Sequence, residues 1–208
     1  RNFEGEYLAP ADPERAVFGA YTSGSTGISK LVIHSSANVV AIAYQMSIFI
    51  PPSDVQEVWW TPILPPALIA VTVSMTIFPL STGLLVELDP FCPLEDIDIE
   101  FMDRKPNFWA LIPKYCDLLM NSKRIPEDYD MSHLFSAGAG CEAYNNNQLQ
   151  RAQKFLNDHN CKATFTTGYG CSEAGSNMSL PLTPHPIRNG NVGIPMPLTT
   201  ISIFKPGT

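Results

Sequence analysis

Ten residues near the start of the chain have the chemistry of an anion-binding loop. The stretch Tyr21–Lys30 reads Tyr-Thr-Ser-Gly-Ser-Thr-Gly-Ile-Ser-Lys and follows an apolar, β-rich run. Glycine lets backbone N–H groups approach an anion without a Cβ in the way, hydroxyls add donors, and lysine adds a mobile positive charge. The residues that could serve in this way are Thr22, Ser23, Gly24, Ser25, Thr26, Gly27 and Lys30. The segment therefore predicts a phosphate cradle.

Two other lysine motifs do not fit the spacing of this loop. A Walker A loop has glycine directly before its lysine, where this chain has Ser29. A Ser-x-x-Lys nucleophile would need serine at the position of Gly27. The structural alternative is a Ser- and Gly-rich surface turn.

The segment Gly168-Tyr169-Gly170-Cys171-Ser172-Glu173 offers a second site. An aromatic ring between two glycines can lie flat against a base, because neither neighbour blocks its face. The carboxylate of Glu173 is a hard oxygen ligand that suits Mg²⁺ bound to a triphosphate. The structural alternative is a strand-to-helix turn with a capping carboxylate.

The same residues nearly match the Gly-x-Ser-x-Gly elbow of hydrolases. Ala174 replaces the last glycine, and no aspartate follows Ser172. A complete Ser-His-Asp triad cannot be assembled from the residues that follow, so hydrolase is kept only as an alternative.

A run of small residues follows another predicted strand. Gly138, Ala139 and Gly140 would let a ligand pack directly on the backbone. A tight strand-to-helix turn without a ligand is the alternative interpretation.

Composition narrows the class of protein. The 208 residues are 45% hydrophobic and 16% charged, which is enough for a sizeable core, and the net charge of −7 argues against a broad nucleic-acid surface. Five scattered cysteines without a C-x-x-C pair predict free or buried thiols in a reducing, cytoplasmic setting. The uncharged run from Val58 to Val86 is interrupted by prolines, so we expect a buried helix and strand there rather than a membrane span.

Strand-like and helix-like segments alternate along the chain. The predicted strands are Ala16–Tyr21, Glu57–Thr61, Leu84–Leu88, Phe108–Ile112, His133–Ala137, Ala163–Thr166 and Thr200–Phe204. Helices are predicted after Ser35 or Ser36, over Ala67–Phe78, from Pro113, and around Leu149–Leu156. This alternation predicts an α/β fold with mostly parallel sheet and flanking helices, in which ligands lie beyond the carboxyl ends of the strands. A boundary near Pro51 would separate a first unit, residues 1–50, from a second α/β block, residues 51–208.

These motifs together resemble the adenylate-forming superfamily, which includes acyl-CoA synthetases, peptide-synthetase adenylation domains and firefly luciferase. The first loop is similar to Tyr-Thr-Ser-Gly-Ser/Thr-Thr-Gly-x-Pro-Lys-Gly, but Ser29 and Leu31 replace the usual proline and glycine. The second motif resembles Tyr-Gly-x-Thr-Glu with Ser172 for threonine. Ser136–Gly140 resembles the segment that faces the adenine, with Ala137 and Gly140 as departures.

The resemblance implies a role for each motif. The loop Thr22–Gly27 would bind the β- and γ-phosphates of ATP, and Lys30 would neutralise the leaving pyrophosphate. Tyr169 would stack on adenine between Gly168 and Gly170, opposite Gly138–Gly140. Ser172 would provide the hydroxyl that threonine provides in the family motif, and Glu173 would help to hold Mg²⁺. The position of His34 matches some short-chain acyl-CoA synthetases, and we expect a structural hydrogen-bond partner there rather than a catalyst.

The resemblance also implies the reaction and its partners. A carboxylic acid would be activated by ATP to an acyl-adenylate and then transferred to coenzyme A. A peptide-synthetase domain that loads a carrier protein and a non-catalytic nucleotide-binding fragment are the alternatives. The chain begins at Arg1 and ends in a Lys-Pro-Gly-Thr turn, so we expect a segment of the large N-terminal domain of a longer enzyme. That segment would lack the ribose-holding aspartate and the C-terminal domain with its catalytic lysine, and would be inactive alone.

Overall fold

An antiparallel hairpin opens the part of the chain that can be described. The structure is a computed structural model that describes residues 10–22, 28–49, 58–62, 64–181 and 190–205. Strands β1 (Ala16–Tyr21) and β2 (Leu31–Ser35) pair with Tyr21 opposite Leu31, so residues 22–30 form the connection between them. The sequence predicted β1, whereas β2 was not predicted.

Five parallel strands form the central sheet. They are β3 (Val58–Pro62), β4 (Leu85–Asp89), β5 (Phe108–Leu111), β6 (Ser136–Ala139) and β7 (Phe165–Thr167), in the spatial order β4-β3-β5-β6-β7. All five correspond to predicted strands, with β6 beginning three residues later than expected. The parallel α/β prediction is therefore confirmed.

Helices connect these strands. They are α1 (Ser36–Phe49), a π-helix (Ala70–Ile77) that continues into α2 (Phe78–Ser81), α3 (Ile97–Arg104), α4 (Pro113–Asn121) and α5 (Asn146–Asp158). Pro113 lies in the first turn of α4. A backbone N–H at that position would have no acceptor within the helix, so proline, which lacks an N–H, costs no hydrogen bond there. Asn145 and Gln148 form a reciprocal capping box at the start of α5.

The π-helix was predicted as an ordinary helix over Ala67–Phe78. The hydroxyl of Thr76 donates to the carbonyl oxygen of Val71, five residues earlier, at 2.8 Å. The wider turn accommodates a run of β-branched residues, which crowd an α-helix.

A small antiparallel sheet completes the described fold. Strands β8 (Tyr169–Cys171), β9 (Ser176–Leu180) and β10 (Ile194–Pro195) pair in the order β10-β9-β8. The predicted strand Thr200–Phe204 is wrong, because these residues form no strand in the described structure. The side chain of Ile203 is 99% exposed, so no apolar surface among the described residues covers this segment.

Consecutive tryptophans point to opposite faces of the parallel sheet. Trp60 joins an apolar cluster with Phe101 and Trp109 on the α3–α5 side, and Trp59 joins a second cluster with Phe78 and Phe108. The second cluster also contains residues of α1, so the predicted units on either side of Pro51 share apolar packing. The boundary itself lies outside the described residues and stays a prediction.

Part of the uncharged run is buried within these clusters. Val71, Val73 and Phe78 are each at most 1% exposed. Among the described helices, none combines the length and the apolar character that crossing a bilayer requires.

Candidate active site

The predicted phosphate loop is anchored by its two ends. The backbone N–H of Thr22 donates to the carbonyl oxygen of Lys30 at 2.9 Å, and the hydroxyl of Ser29 donates to the carbonyl oxygen of Thr22 at 2.7 Å. Ser23–Gly27 lie outside the described residues. The side chain of Lys30 is exposed and forms no ion pair within the described part of the chain. Its ammonium is therefore available to an anion.

The second motif forms a strand followed by a single tight turn. Tyr169 lies in β8 with its side chain 51% exposed, and Ser172–Ala174 form a 3-10 turn that carries the exposed carboxylate of Glu173. A Cβ on Gly170 would lie 2.0 Å from the carbonyl oxygen of Ser176 across the strand pair. This glycine is therefore required by strand packing.

The small-residue segment lies beside the second motif. β6 pairs with β7 so that Ala139 is opposite Thr167, which directly precedes Gly168. Gly138 packs closely on Thr166, and the side chain of Ala139 is buried, so a ligand would reach these two through their backbone. Among the described residues, no atom lies within 4 Å of a Cβ added at Gly140, which follows β6 at the carboxyl end of the sheet.

A buried histidine joins the two motifs. His34 follows the phosphate loop in β2 and is 4% exposed. Its Nε2 lies 2.7 Å from the carbonyl oxygen of Ser172, which starts the turn that carries Glu173. The structural hydrogen bond predicted for this histidine is confirmed, although its partner could not be read from the sequence.

A buried polar cluster behind the turn was not predicted. The hydroxyls of Ser74 and Ser176 lie 2.5 Å apart, and the side-chain amide of Asn177 donates to Ser74 Oγ at 3.3 Å. These residues come from the π-helix and β9, which are far apart in sequence. No local motif could have identified them.

The thiols provide no activated nucleophile among the buried sites. Burial raises the pKa of Cys116 to about 12 and, with nearby carboxylates, that of Cys92 to about 11. All five cysteines are free, as predicted.

One group of described side chains has ligand atoms close enough for a metal ion. Asp89, Cys92 and Glu100 each place an atom within 4.8 Å of the others. Arg104 Nε lies 3.1 Å from Glu100 Oε2 and already neutralises that carboxylate. Among the described residues, Glu173 belongs to no such group, so a cation at Glu173 would need oxygen ligands from elsewhere.

A family model described as AMP-binding enzyme matches residues 3–208. The chain belongs to the AMP-binding enzyme family. No curated protein matches this AMP-binding chain.

Solved structures share the fold of the AMP-binding chain. ATP-bound MatB from Rhodopseudomonas palustris superposes with a TM-score of 0.76 at 16% identity, covering 91% of the chain and 35% of MatB. A long-chain-fatty-acid-CoA ligase from Archaeoglobus fulgidus superposes with a TM-score of 0.74 at 18% identity, covering 90% of the chain and 38% of the ligase. McyG A-PCP complexed with phenylalanyl-adenylate superposes with a TM-score of 0.74 at 18% identity, covering 92% of the chain and 37% of McyG A-PCP.

These likenesses define the architecture of the AMP-binding chain. Its parallel five-stranded sheet with flanking helices is that of the N-terminal domain of adenylate-forming enzymes. The chain spans little more than a third of the length of these structures.

Proposed function

We propose that the protein carrying this chain activates a carboxylic acid with ATP and transfers the acyl group to coenzyme A. The observation that carries this proposal is the hydrogen bond from His34 to Ser172. It joins the hairpin that carries Lys30 directly to the turn that carries Glu173. The family match supports the same reaction class.

The first step would be attack by a carboxylate oxygen on the α-phosphorus of ATP. The bond between the α-phosphorus and its bridging oxygen breaks, and pyrophosphate leaves with the electron pair. Positioning and charge neutralisation are the main sources of rate in such a transfer. Lys30 and the donors of Thr22–Gly27 would bind the phosphates that leave.

The base and the metal would be held by the second motif and its neighbour. Tyr169 is exposed enough to stack on adenine, and the open backbone at Gly140 leaves room for the ring. Glu173 is exposed and forms no ion pair within the described residues, which suits a hard cation shared with phosphate oxygens. Mg²⁺ bound there would supply charge neutralisation on the triphosphate. The Ser172 hydroxyl would be a further donor at the nucleotide.

The second step would be attack by a thiol sulfur on the acyl carbon. The thioester forms, the bond to AMP breaks, and the thiol proton passes to solvent. Likeness to a CoA ligase supports coenzyme A as the acceptor. Likeness to McyG A-PCP supports a second candidate, in which a carrier protein takes the acyl group.

Mass spectrometry can separate these candidates. The complete protein is incubated with Mg·ATP and a panel of carboxylic acids, and then with coenzyme A or a phosphopantetheinylated carrier domain. We expect acid-dependent AMP in the first stage and an acyl-CoA thioester in the second. Acylation of the carrier alone would establish the second candidate, and ATP binding without AMP from any acid would favour a non-catalytic nucleotide-binding protein.

A further inference from the structure

One buried imidazole links the two halves of the candidate nucleotide site. We propose that His34 is a positioning residue that fastens the turn Ser172–Ala174, and with it Glu173, to the hairpin that carries the phosphate loop. The inference rests on the proposed function, because it assigns His34 to the binding of Mg·ATP. It adds the prediction that His34, a residue remote from the phosphates, determines how much Mg²⁺ strengthens the binding of ATP.

The hydrogen bond of His34 fixes which ring nitrogen is protonated. Nε2 lies 2.7 Å from the carbonyl oxygen of Ser172, and a carbonyl oxygen only accepts. The proton must therefore be on Nε2, which donates. Because the side chain is 4% exposed, water cannot readily replace this donor.

The same carbonyl oxygen is held from a second side. The backbone N–H of Gly175 donates to it at 3.1 Å and closes the turn. Gly175 has φ of +83°, and a Cβ there would lie 3.6 Å from His34 Cε1 and 3.4 Å from Ile42 Cγ1. The imidazole therefore packs against the end of the turn as well as bonding to its start, and Glu173 lies between these two points.

The chain after the turn is fastened independently. Ser176 bonds through its hydroxyl to Ser74 of the π-helix at 2.5 Å. Loss of His34 would therefore release the turn from the hairpin while β8 and β9 stay paired at Cys171 and Ser176. The carboxylate of Glu173 would then sample more positions relative to the hairpin, which weakens any ligand held between the two motifs.

The test compares variants of His34 that keep or lose the N–H donor, and its control is a substitution of another histidine that bonds to a backbone oxygen. H34M removes the N–H donor and keeps an apolar side chain of similar length, and H34Q retains an N–H that can reach the carbonyl oxygen. H133Q is the control, because the half-buried His133 also bonds to a backbone oxygen, that of Pro106, with Nδ1 2.8 Å away. If H34M does not fold at the assay temperature, H34N provides a polar side chain that is too short to bond.

Two readouts are measured on the complete protein that carries this chain. Isothermal titration gives the dissociation constant of ATP with saturating Mg²⁺ and with chelator, and hydrogen exchange without nucleotide follows the amides of residues 173–176. We expect H34M to lose about tenfold in Mg·ATP affinity, with little change in chelator, and to exchange faster at the turn. H34Q should stay within about threefold of the native protein, and H133Q should match it.

Each contrary result has a distinct meaning. Native Mg·ATP affinity and native exchange in H34M would overturn the inference, and so would equal losses in H34M and H133Q, which would indicate a general loss of stability. If the native protein binds no nucleotide, the proposed function fails, and with it the assignment of His34 to magnesium. Faster exchange at the turn in H34M would then still establish the contact as a structural one.

Discussion

At the scale of single residues, Glu173 is the group whose proposed role depends most on charge. Its side chain is exposed on a turn of three residues, so its size contributes little to packing. A carboxylate in that place can neutralise a cation, whereas an amide of the same shape cannot.

Glu173→Gln should therefore separate charge from structure. We expect an unchanged melting temperature and a loss of about one to two decades in the rate of adenylation at limiting Mg²⁺, as for removal of one preorganised electrostatic contact. Glu142→Gln is the control, because Glu142 is also exposed but follows β6 outside the turn. Full activity of E173Q at limiting Mg²⁺ would show that the carboxylate does not act through the metal.

At the scale of elements, the contact between β8 and β9 depends on glycine. Gly170→Ala should lower the melting temperature by roughly 5 °C or more, because the new Cβ would meet the carbonyl oxygen of Ser176. Gly140→Ala is the matched control, since a Cβ there meets no atom of the described residues within 4 Å. Calorimetry on both variants is the measurement, and equal melting temperatures would contradict the described strand pairing.

Helix α3 is held to the segment after α4 by a buried carboxylate. Asp98 accepts hydrogen bonds from Arg124, whose Nε lies 2.9 Å from Oδ2, and from the hydroxyl of Ser122. Burial raises the pKa of Asp98, but these hydrogen bonds outweigh it, so the net pKa lies below its ordinary value.

The pH dependence of stability follows from that direction. A depressed pKa in the folded state means that the stabilisation is complete above the unfolded-state pKa, near 4, and is lost as the pH falls through the folded value. Asp98→Asn should lower the melting temperature by roughly 5 °C at pH 7, and the difference from the native protein should shrink below about pH 4. Thermal melts from pH 7 to 2 test this, with the exposed Asp128→Asn as control. A difference that grows toward acid pH would reverse the assigned sign.

The elements show what a sequence can predict and what it cannot. Strands β3 to β7 were predicted because strands buried on both faces read as short apolar runs between helical patterns. β2 was missed because its pairing with β1 depends on a hairpin with a nine-residue connection. β9 was missed although its partner β8 lies only four residues earlier, because its sequence Ser-Asn-Met-Ser-Leu is not a continuous apolar run. A helix was predicted over the π-helix, but its type was missed, because a hydrophobic run does not show which backbone carbonyl oxygen accepts from each N–H.

The candidate site was predictable in its motifs but not in its assembly. The loop Thr22–Lys30 and the segment Gly168–Glu173 carry their chemistry in their residue types. The bond from His34 to Ser172 and the cluster of Ser74 and Ser176 join segments distant in sequence, so only the fold brings them together.

At the scale of the whole molecule, several large apolar side chains of the hairpin and of α1 are exposed in the described part of the chain. Val17, Tyr21 and Ile33 on the hairpin are each more than half exposed, and so are Val40 and Tyr44 on α1. Exposed apolar side chains that lie together commonly contact other polypeptide.

The 208 residues expressed alone should therefore be silent and prone to associate. We expect no carboxylate-dependent pyrophosphate release, because the 208 residues span little more than a third of the length of the adenylate-forming structures that share their fold. Light scattering and a pyrophosphate assay on the 208-residue polypeptide, beside the complete protein, are the measurements. Robust turnover by the 208 residues would indicate a self-contained site and revive the hydrolase alternative.

The proposed role of Lys30 and its loop is to bind the phosphates of ATP during activation of a carboxylic acid. Carboxylate-dependent exchange of labelled pyrophosphate into ATP, by the complete protein and its Lys30→Ala variant, tests it most directly. We predict exchange that requires an added acid and falls by about one to three decades in the variant, while Lys162→Ala, at an exposed lysine before β7, leaves it unchanged. Exchange that needs no acid, or that persists fully without Lys30, would contradict this role of Lys30 in activating a carboxylic acid.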